Sequence, residues 1–417
     1  MKLPNIFSIA NQYVLSHAFD KAYVLYDLLA KMYPTFAPYR TNREVLKPLL
    51  EGYKITVPRK LVQRALHAAH FLAEDQHPVP ARWCLGVVKE SPEALMGQAN
   101  AITSKGSNEW LQAVNGYLAS HGAAPLGLAA EPGAHDIVLH RLQASAAAGG
   151  TASAVASTSG AVDGPLVTVM MSCYNAEKTV EYAVRSVLAQ THANFELYIV
   201  NDNSTDGSAN IVEQLAAQDP RIKVMHNASN LGTYVSRNQV FSQCSGQFFT
   251  TLDADDLALS DRLHKQVAAL QGNPAWVGTL GHWVRITPAG SFVFKNWTAS
   301  YLHEAVATLM IRREPVLQTI GYWDSVRYAA DTEFYHRLLK HFGPKAVHKM
   351  ARPLCFALYH PDSLTMNAQT GISEETGLSE TRLAYRESWK HWHRMNKKTR
   401  IEFPARYRAF DAPLEMQ

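Results

Sequence analysis

The sequence predicts an α/β fold, a sheet flanked by helices, standing behind a mostly helical N-terminal region. Three observations predict it. From Pro165 onward, short apolar runs alternate with amphipathic segments at the spacing of strand–helix–strand units. Polar and acidic clusters follow directly after three of those runs. An uncharged stretch rich in Ala, Ser and Gly, residues 143–164, separates this pattern from what precedes it.

Residues 1–142 read as a mostly helical accessory domain. Ala22–Ala30, the set Leu61, Val62, Leu66, Ala69 and Phe71, and Glu109–Leu118 follow the helical period, with Gly116 a weak point in the last. Prolines at 34, 38, 48, 58, 78, 80 and 92 punctuate the region, and no motif in it names a chemistry. Residues 143–164 read as a flexible linker, because small side chains bury too little area to offset the entropy of ordering.

Residues 165–375 form the predicted catalytic domain. The strands are Leu166–Met171, Phe195–Val200, Ile222–Met225 and Gln247–Leu252. The helices between them run around Val180–Leu188, Ile211–Leu215, with Asp206 as a candidate cap, and Tyr234–Phe241. Residues 376–417 read as a basic, aromatic helical extension.

Composition sets outer limits. A chain of 417 residues, 47% hydrophobic and 18% charged, can bury sizeable cores, and its length predicts two or three domains. A formal charge of only +4 gives no support to nucleic-acid binding. Cys84, Cys173, Cys244 and Cys355 match no zinc or redox spacing and are expected to be buried free thiols, as suits a reducing compartment. Polar residues interrupt the N-terminus too early for a secretory signal, and no run approaches the ~20 apolar residues of a membrane span. The expected location is cytoplasmic, with peripheral attachment to the inner face of the cell membrane left open.

Chemistry is concentrated after the strands. Ser172-Cys173-Tyr174-Asn175 follows the first, Asn201-Asp202-Asn203-Ser204-Thr205-Asp206 the second and Asp253-Ala254-Asp255-Asp256 the fourth. In open α/β sheets, ligands bind beyond the carboxyl ends of the strands. Two carboxylates flanking a small residue can share a hard cation and the oxygens of a diphosphate, which suits Mg²⁺ or Mn²⁺. Asp256 is either a third acid of the site, or a residue that starts a helix or stands behind the residues touching the ligand. Asn230-Leu231-Gly232 follows the third strand, where Gly232 permits close backbone approach or an ordinary turn. Arg237 is either a phosphate contact or a surface arginine.

Taken together and in order, these clusters resemble family 2 glycosyltransferases of the GT-A fold, over about 200 residues of the chain. The resemblance implies a GT-A-like mixed sheet and a nucleoside-diphosphate sugar, a UDP-sugar first, as donor. Tyr174, Asn175, Asp202, Gly232 and Asp253 would bind that donor, and Asp255 would be the principal metal ligand. Family members often carry two acids after the second strand; this chain has Asn201 and then Asp202.

Tyr328–Leu339 resembles the family's Glu-Asp pair ahead of an acceptor-side helix, with Ala330 in place of the first acid and Asp331 retained. Asp331 would then be the general base of an inverting transfer, taking the proton of the attacking hydroxyl. By itself, an Asp here would cap a helix beginning near Thr332. Glu333 and Arg337 have the spacing of a modest surface ion pair. His360 is the second candidate metal ligand, by likeness to relatives in which a late histidine completes the metal or diphosphate site. Trp283, Trp297 and Trp323 are read either as core residues or as the lining of an acceptor groove.

The implied function is transfer of a sugar to a hydroxyl of a saccharide, free or lipid-linked, with surface-polysaccharide assembly as a setting. A non-catalytic carbohydrate-binding or assembly protein with a degenerate domain is the alternative. Nucleotidyl transfer would favour a Gly-rich phosphate loop, which is not evident. Arg382, Arg386, Lys390, Arg394, Lys397, Lys398 and Arg400, interleaved with Tyr385, Trp389 and Trp392, fit a solvated helix, packing on the catalytic domain, an assembly partner or an acidic membrane surface.

Overall fold

The computed structural model describes residues 91–129, 137–145, 164–295, 298, 300–360, 363, 371–373 and 377–417, together with 10, 13, 19–32, 40, 42, 43, 46, 63, 65–67, 69, 70 and 73. Most of the expected linker, residues 146–163, lies outside them, as do Cys84 and Trp297. The chain divides into two compact units, residues 1–121 with 289–301, and residues 122–288 with 302–417.

In the first unit, helix α1 (Phe19–Met32) buries Leu25, Tyr26 and Leu29 with Ala10 and Leu46. Helices α2 (Pro92–Ala101) and α3 (Asn108–Ser120) pack on each other. Pro92 opens α2, where the missing amide costs no hydrogen bond, and the Ser107 hydroxyl caps α3 by accepting from Trp110 N. Gly116 of α3 faces Leu95 of α2. A side chain there would begin 3.2 Å from Leu95 Cδ1, so its weak helix propensity is offset by packing.

Residues 289–301, distant in sequence, complete this unit. Asn100 donates to Phe292 O at 2.8 Å and accepts from Phe292 N at 2.6 Å. Trp110 stacks on Phe292 at 5.5 Å and donates its indole N–H to Gly290 O at 3.2 Å. Ser300 donates to Glu93 at 3.0 Å, and Phe294 lies against Tyr301, His67 and His70.

The second unit opens with a two-stranded sheet, β1 (Leu126–Leu128) antiparallel to β2 (Leu142–Ala144). Then come β3 (Val167–Cys173), α4 (Val180–Leu188), β4 (Phe195–Asn201), α5 (Ser208–Gln218), β5 (Ile222–His226), α6 (Thr233–Gln243), β6 (Phe248–Thr251), β7 (Asp256–Ala258) and α7 (Arg262–Gly272). They are followed by β8 (Gly278–Ile286), β9 (Leu302–Glu304), β10 (Met310–Arg312), α8 (Arg313–Thr319), α9 (Ala330–Phe342) and β11 (Val347–Leu358). A short pair, β12 (Ile372–Ser373) and β13 (Gly377–Leu378), precedes α10 (Glu380–Met395).

Nine strands form one mixed sheet in the order β5-β4-β3-β6-β10-β8-β11-β7, with β9 against β8. β5, β4, β3 and β6 run parallel, and β10 reverses against β6. β4 is buried along its whole length, as a central parallel strand covered on both faces requires. The strands and helices predicted from Leu166 to Leu252 thus occur within three residues of their expected ends, whereas Leu61, Val62 and Phe71 of the expected earlier helix lie outside the described residues. The GT-A-like mixed sheet flanked by helices is the observed architecture, with helical elements preceding it. Cys173, Cys244 and Cys355 are buried free thiols.

Tyr385 and Trp389 of α10 join the core that contains Tyr234, Trp323 and Phe334 of the same unit. The Tyr385 hydroxyl donates to Asp324 Oδ2 at 3.0 Å, and Arg408 binds the same oxygen at 2.5 Å. The segment beyond α10 returns to the fold at Gly321, where Tyr322 N donates to Ile401 O at 2.9 Å and Ile401 N to Ile320 O at 3.1 Å. Gly321 has φ +73° and lies so close to Ile401 O that a Cβ would overlap it. Glu333 and Arg337 correct the surface pair expected from their spacing, since both side chains are fully buried. No helix among the described residues is long and apolar enough to cross a membrane.

Candidate functional site

The parallel strands β3, β4 and β6 deliver their carboxyl ends to one edge of the sheet. The loops after β3 and β4 are tied together there. Asn175, at φ +49°, accepts at its side-chain oxygen from Thr205 N (2.8 Å), and its own amide donates to Ser204 Oγ (3.0 Å). Tyr174 beside it is half exposed. Asp206 accepts from Ser208 N (3.0 Å), at the start of α5, and from Glu177 N (3.1 Å), as its reading as a cap anticipated.

Asp202 is buried, and both its oxygens are engaged. Oδ1 accepts from Asn227 Nδ2 (2.7 Å) and Leu231 N (2.9 Å), and Oδ2 from Gly232 N (2.7 Å). One carboxylate thereby fixes the Asn230-Leu231-Gly232 turn that opens α6. Gly232 has φ +86°, which a side chain would strain, so glycine is required by the turn itself.

The acidic cluster sits in a turn braced from several sides. Asp256 N donates to Asp253 O (3.1 Å), and Asp256 then opens β7 opposite Ala357 of β11. The Tyr182 hydroxyl donates to Asp255 O at 2.5 Å. Arg262, fully buried, donates to Thr251 O at 2.7 Å and Thr250 Oγ1 at 3.1 Å, anchoring the end of β6. Burial, the neighbouring Asp255 carboxylate and, more weakly, Asp331 push Asp253 up to about 6, against the opposing pull of Arg237 and Arg262. Asp256 is pushed well up by burial and then by Asp255 and Asp253. It accepts from Leu358 N at 3.2 Å, so it braces the turn as well as adding an acid.

His360 follows β11, and its Nε2 lies 3.4 Å from Asp255 Oδ2. Both side chains are about one-third exposed. An imidazole nitrogen beside a carboxylate, both open to solvent, fits a divalent cation whose remaining ligands are phosphate oxygens and water. No group of three or more His, Cys, Asp or Glu side chains able to hold a metal occurs among the described residues. Among the described residues the donors there are two, Asp255 and His360.

Asp331 stands in the first turn of α9, after Ala329 in the left-handed conformation at φ +71°. Its Oδ1 accepts from Thr332 N at 2.8 Å. It lines a cavity with Arg237, Thr251, Val306, Leu309 and Trp323. Arg237 is buried, lies 5.0 Å from the Tyr234 ring and 5.3 Å from the Trp323 ring, and its Nε has no hydrogen-bond partner among the described residues. It is not a surface arginine. Tyr234 is pushed up by burial and by Asp331. Trp323 is at once a core residue, stacked on Phe334 at 3.9 Å, and part of the cavity wall.

The structure thus joins Asp202 to Gly232, Asp255 to His360, and Asp331 electrostatically to Asp253. Tyr174 and Asn175 lie on the loop after β3, where Asn175 is tied to Ser204 and Thr205. Sequence reasoning missed Tyr182, Arg262 and Arg285. Arg285 lies over the Trp283 and Tyr359 rings at 5.0 and 5.2 Å and faces Asp256 across the single residue Ala357. Only the pairing of β7, β11 and β8 reveals that row.

The sheet carries acids at the ends of its parallel strands, and comparison with known proteins supplies the family. The model of glycosyl transferase family 2 matches residues 168–312. An uncharacterized glycosyltransferase of Methanocaldococcus jannaschii, MJ1057, is 30% identical over 193 residues, 43% of this chain and 67% of that protein. The chain belongs to glycosyltransferase family 2. The Escherichia coli UDP-Glc:alpha-D-GlcNAc-diphosphoundecaprenol beta-1,3-glucosyltransferase WfgD is 37% identical over 112 residues, 27% of this chain and 44% of its own. A crystal structure of S. aureus TarS in complex with UDP-GlcNAc shows 20% identity and a TM-score of 0.40 over 47% of this chain and 59% of that one. The chain spans about two fifths of the length of the first curated relatives it matches.

Proposed function

We propose that the protein transfers a sugar from a nucleoside-diphosphate sugar to a hydroxyl of a saccharide or lipid-linked saccharide, with inversion at the sugar carbon. The observation that carries this reading is an acidic strand end beside a cavity lined by Asp331 and the buried Arg237. Asp253, at the end of β6, feels the charge of both its neighbour Asp255 and Asp331 of α9, and Asp331 lines a cavity with the buried Arg237. A leaving diphosphate needs positive charge on one side of the reacting carbon, and the attacking hydroxyl needs a base on the other.

In this mechanism the turn held by Asp202 and the loop of Tyr174 and Asn175 bind the nucleotide. Gly232 brings backbone close to it, and Asp253 receives the ribose or sugar hydroxyls. Arg237 offers its unpaired Nε to a phosphate oxygen. Asp331 takes the proton of the acceptor hydroxyl as it attacks. Asp255 and His360 would hold Mn²⁺ or Mg²⁺, which when bound neutralises the departing diphosphate. A UDP-sugar is the first donor to test, since the E. coli relative is named for UDP-Glc. The helical N-terminal region is assigned as an accessory domain. The location is cytoplasmic, with peripheral contact of the basic C-terminal segment at a membrane.

The test is a panel of UDP-, GDP- and dTDP-sugars scored by nucleoside-diphosphate release, with Asp331→Asn beside the unaltered chain. The expected result is release from one nucleotide class. Asp331→Asn should lower it by about 100-fold or more, with nucleotide affinity kept. Equal turnover by the two proteins removes Asp331 as the base. No release from any donor favours a carbohydrate-binding or assembly role.

A further inference from the structure

The C-terminal helix brings a second buried cation to the neighbourhood of the proposed base. Arg382 of α10 is only 9% exposed, and its guanidinium carbon lies 5.0 Å from the Tyr328 ring. Tyr328 precedes α9 by two residues, and its hydroxyl donates to Thr381 Oγ1 at 3.2 Å. The first turn of α10 is therefore laid over the start of the helix that carries Asp331. Burial pushes the Arg382 guanidinium down, while Tyr234, Asp331 and Tyr328 push it back up.

The far end of α10 grips the same helix. His393 Nε2 lies 2.9 Å from Glu333 Oε1, and Glu333 is held in turn by Arg337. Lys340, later on α9, donates to His393 O and Asn396 O. α9 is thus fastened to α10 at both ends, and Arg382, held over Tyr328, is near enough to Asp331 for the two charges to act on each other. A charge near a carboxylate that moves a proton affects how that carboxylate is aimed, and misplacement by about 1 Å can cost about 100-fold in rate.

We infer that Arg382, contributed by the C-terminal helix, is a positioning residue that holds the Asp331 carboxylate in its working orientation through the start of α9. The inference rests on the reading of Asp331 as the base. It gives α10 a part in turnover, beyond that of a tail.

The experiment is a double-mutant cycle in the full chain, using Asp331→Asn, Arg382→Met and the two together. Nucleoside-diphosphate release is measured from the donor that gives most release in the panel, and affinity is measured with the matching nucleoside diphosphate. Arg382→Met is expected to lower kcat by about 10- to 100-fold with affinity unchanged. The double variant should be no slower than Asp331→Asn alone. Arg382→Lys, which keeps the charge and stands in should the Met variant fail to fold, should recover part of the loss. Multiplying losses, loss of nucleotide affinity, or full activity of Arg382→Met would each overturn the inference. If Asp331→Asn itself leaves release untouched, the base reading has failed, and the inference fails with it for that separate reason.

Discussion

Glu333 and Arg337 stand one turn apart on α9 and meet at two points, Nε to Oε1 at 2.9 Å and Nη2 to Oε2 at 3.0 Å, with neither side chain exposed. Arg337 also donates to Tyr322 O at 2.6 Å and to Ile320 O, and His393 reaches Glu333 from α10. Burial alone would raise Glu333, yet Arg337 and His393 hold its carboxyl below the usual range. Removing one partner strands a buried charge. Glu333→Ala is expected to cost about 3–5 kcal/mol, measured by urea unfolding. The Glu333→Ala/Arg337→Met pair should cost less than the sum of the single changes.

Asp202 makes a sharper case for the donor side. Its three accepted bonds hold the turn at Leu231 and Gly232, so Asp202→Ala leaves two backbone amides without their acceptor. The expected losses are about 1.5–3 kcal/mol in stability and at least about tenfold in nucleotide affinity by calorimetry. An unchanged affinity would separate the turn from donor binding.

The N-terminal unit should respond to acid. Burial, with a smaller effect of His67, lowers His70 from 6.5 to about 4. Between those values the unfolded chain takes up a proton that the folded chain refuses. The contribution of His70 to stability is therefore full above pH 6.5, falls as the pH drops toward about 4, and changes no further below it. Thermal melts of the intact chain across this range should show the slope, and His70→Leu should flatten it.

Metal removal addresses Asp255 and His360 together. Chelation is expected to suppress nucleoside-diphosphate release, and added Mn²⁺ or Mg²⁺ to restore it. Asp255→Asn and His360→Ala should raise the cation concentration needed for half-maximal release. Full activity in thoroughly chelated protein would remove the cation from the mechanism.

The parallel half of the sheet was legible because its information is local. Val167–Cys173 and Phe195–Asn201 are runs of buried residues, and their polar endings mark the crevice edge without reference to any distant segment. What escaped depends on partners far along the chain. Nothing near Glu333 announces that Ile320 O, Tyr322 O and His393 will enclose it, and the i to i+4 spacing fits a surface pair equally well. Arg285 comes into line with Asp256 only because Ala357 of β11 pairs with both of them. The basic tail shows its charges in sequence, but not that Tyr385 and Trp389 are turned into the core.

Residues 289–301 leave the strand pair β8–β9 and are used up inside the N-terminal unit, so the two units are interleaved along the polypeptide. No single cut can separate them cleanly. A break in the stretch 122–288 would leave Trp110 and Tyr117 on one fragment and Phe292 and Tyr301, their aromatic complements, on the other. The architecture lends itself to complementation between two co-expressed fragments, and an excised half would carry a sticky, uncovered surface.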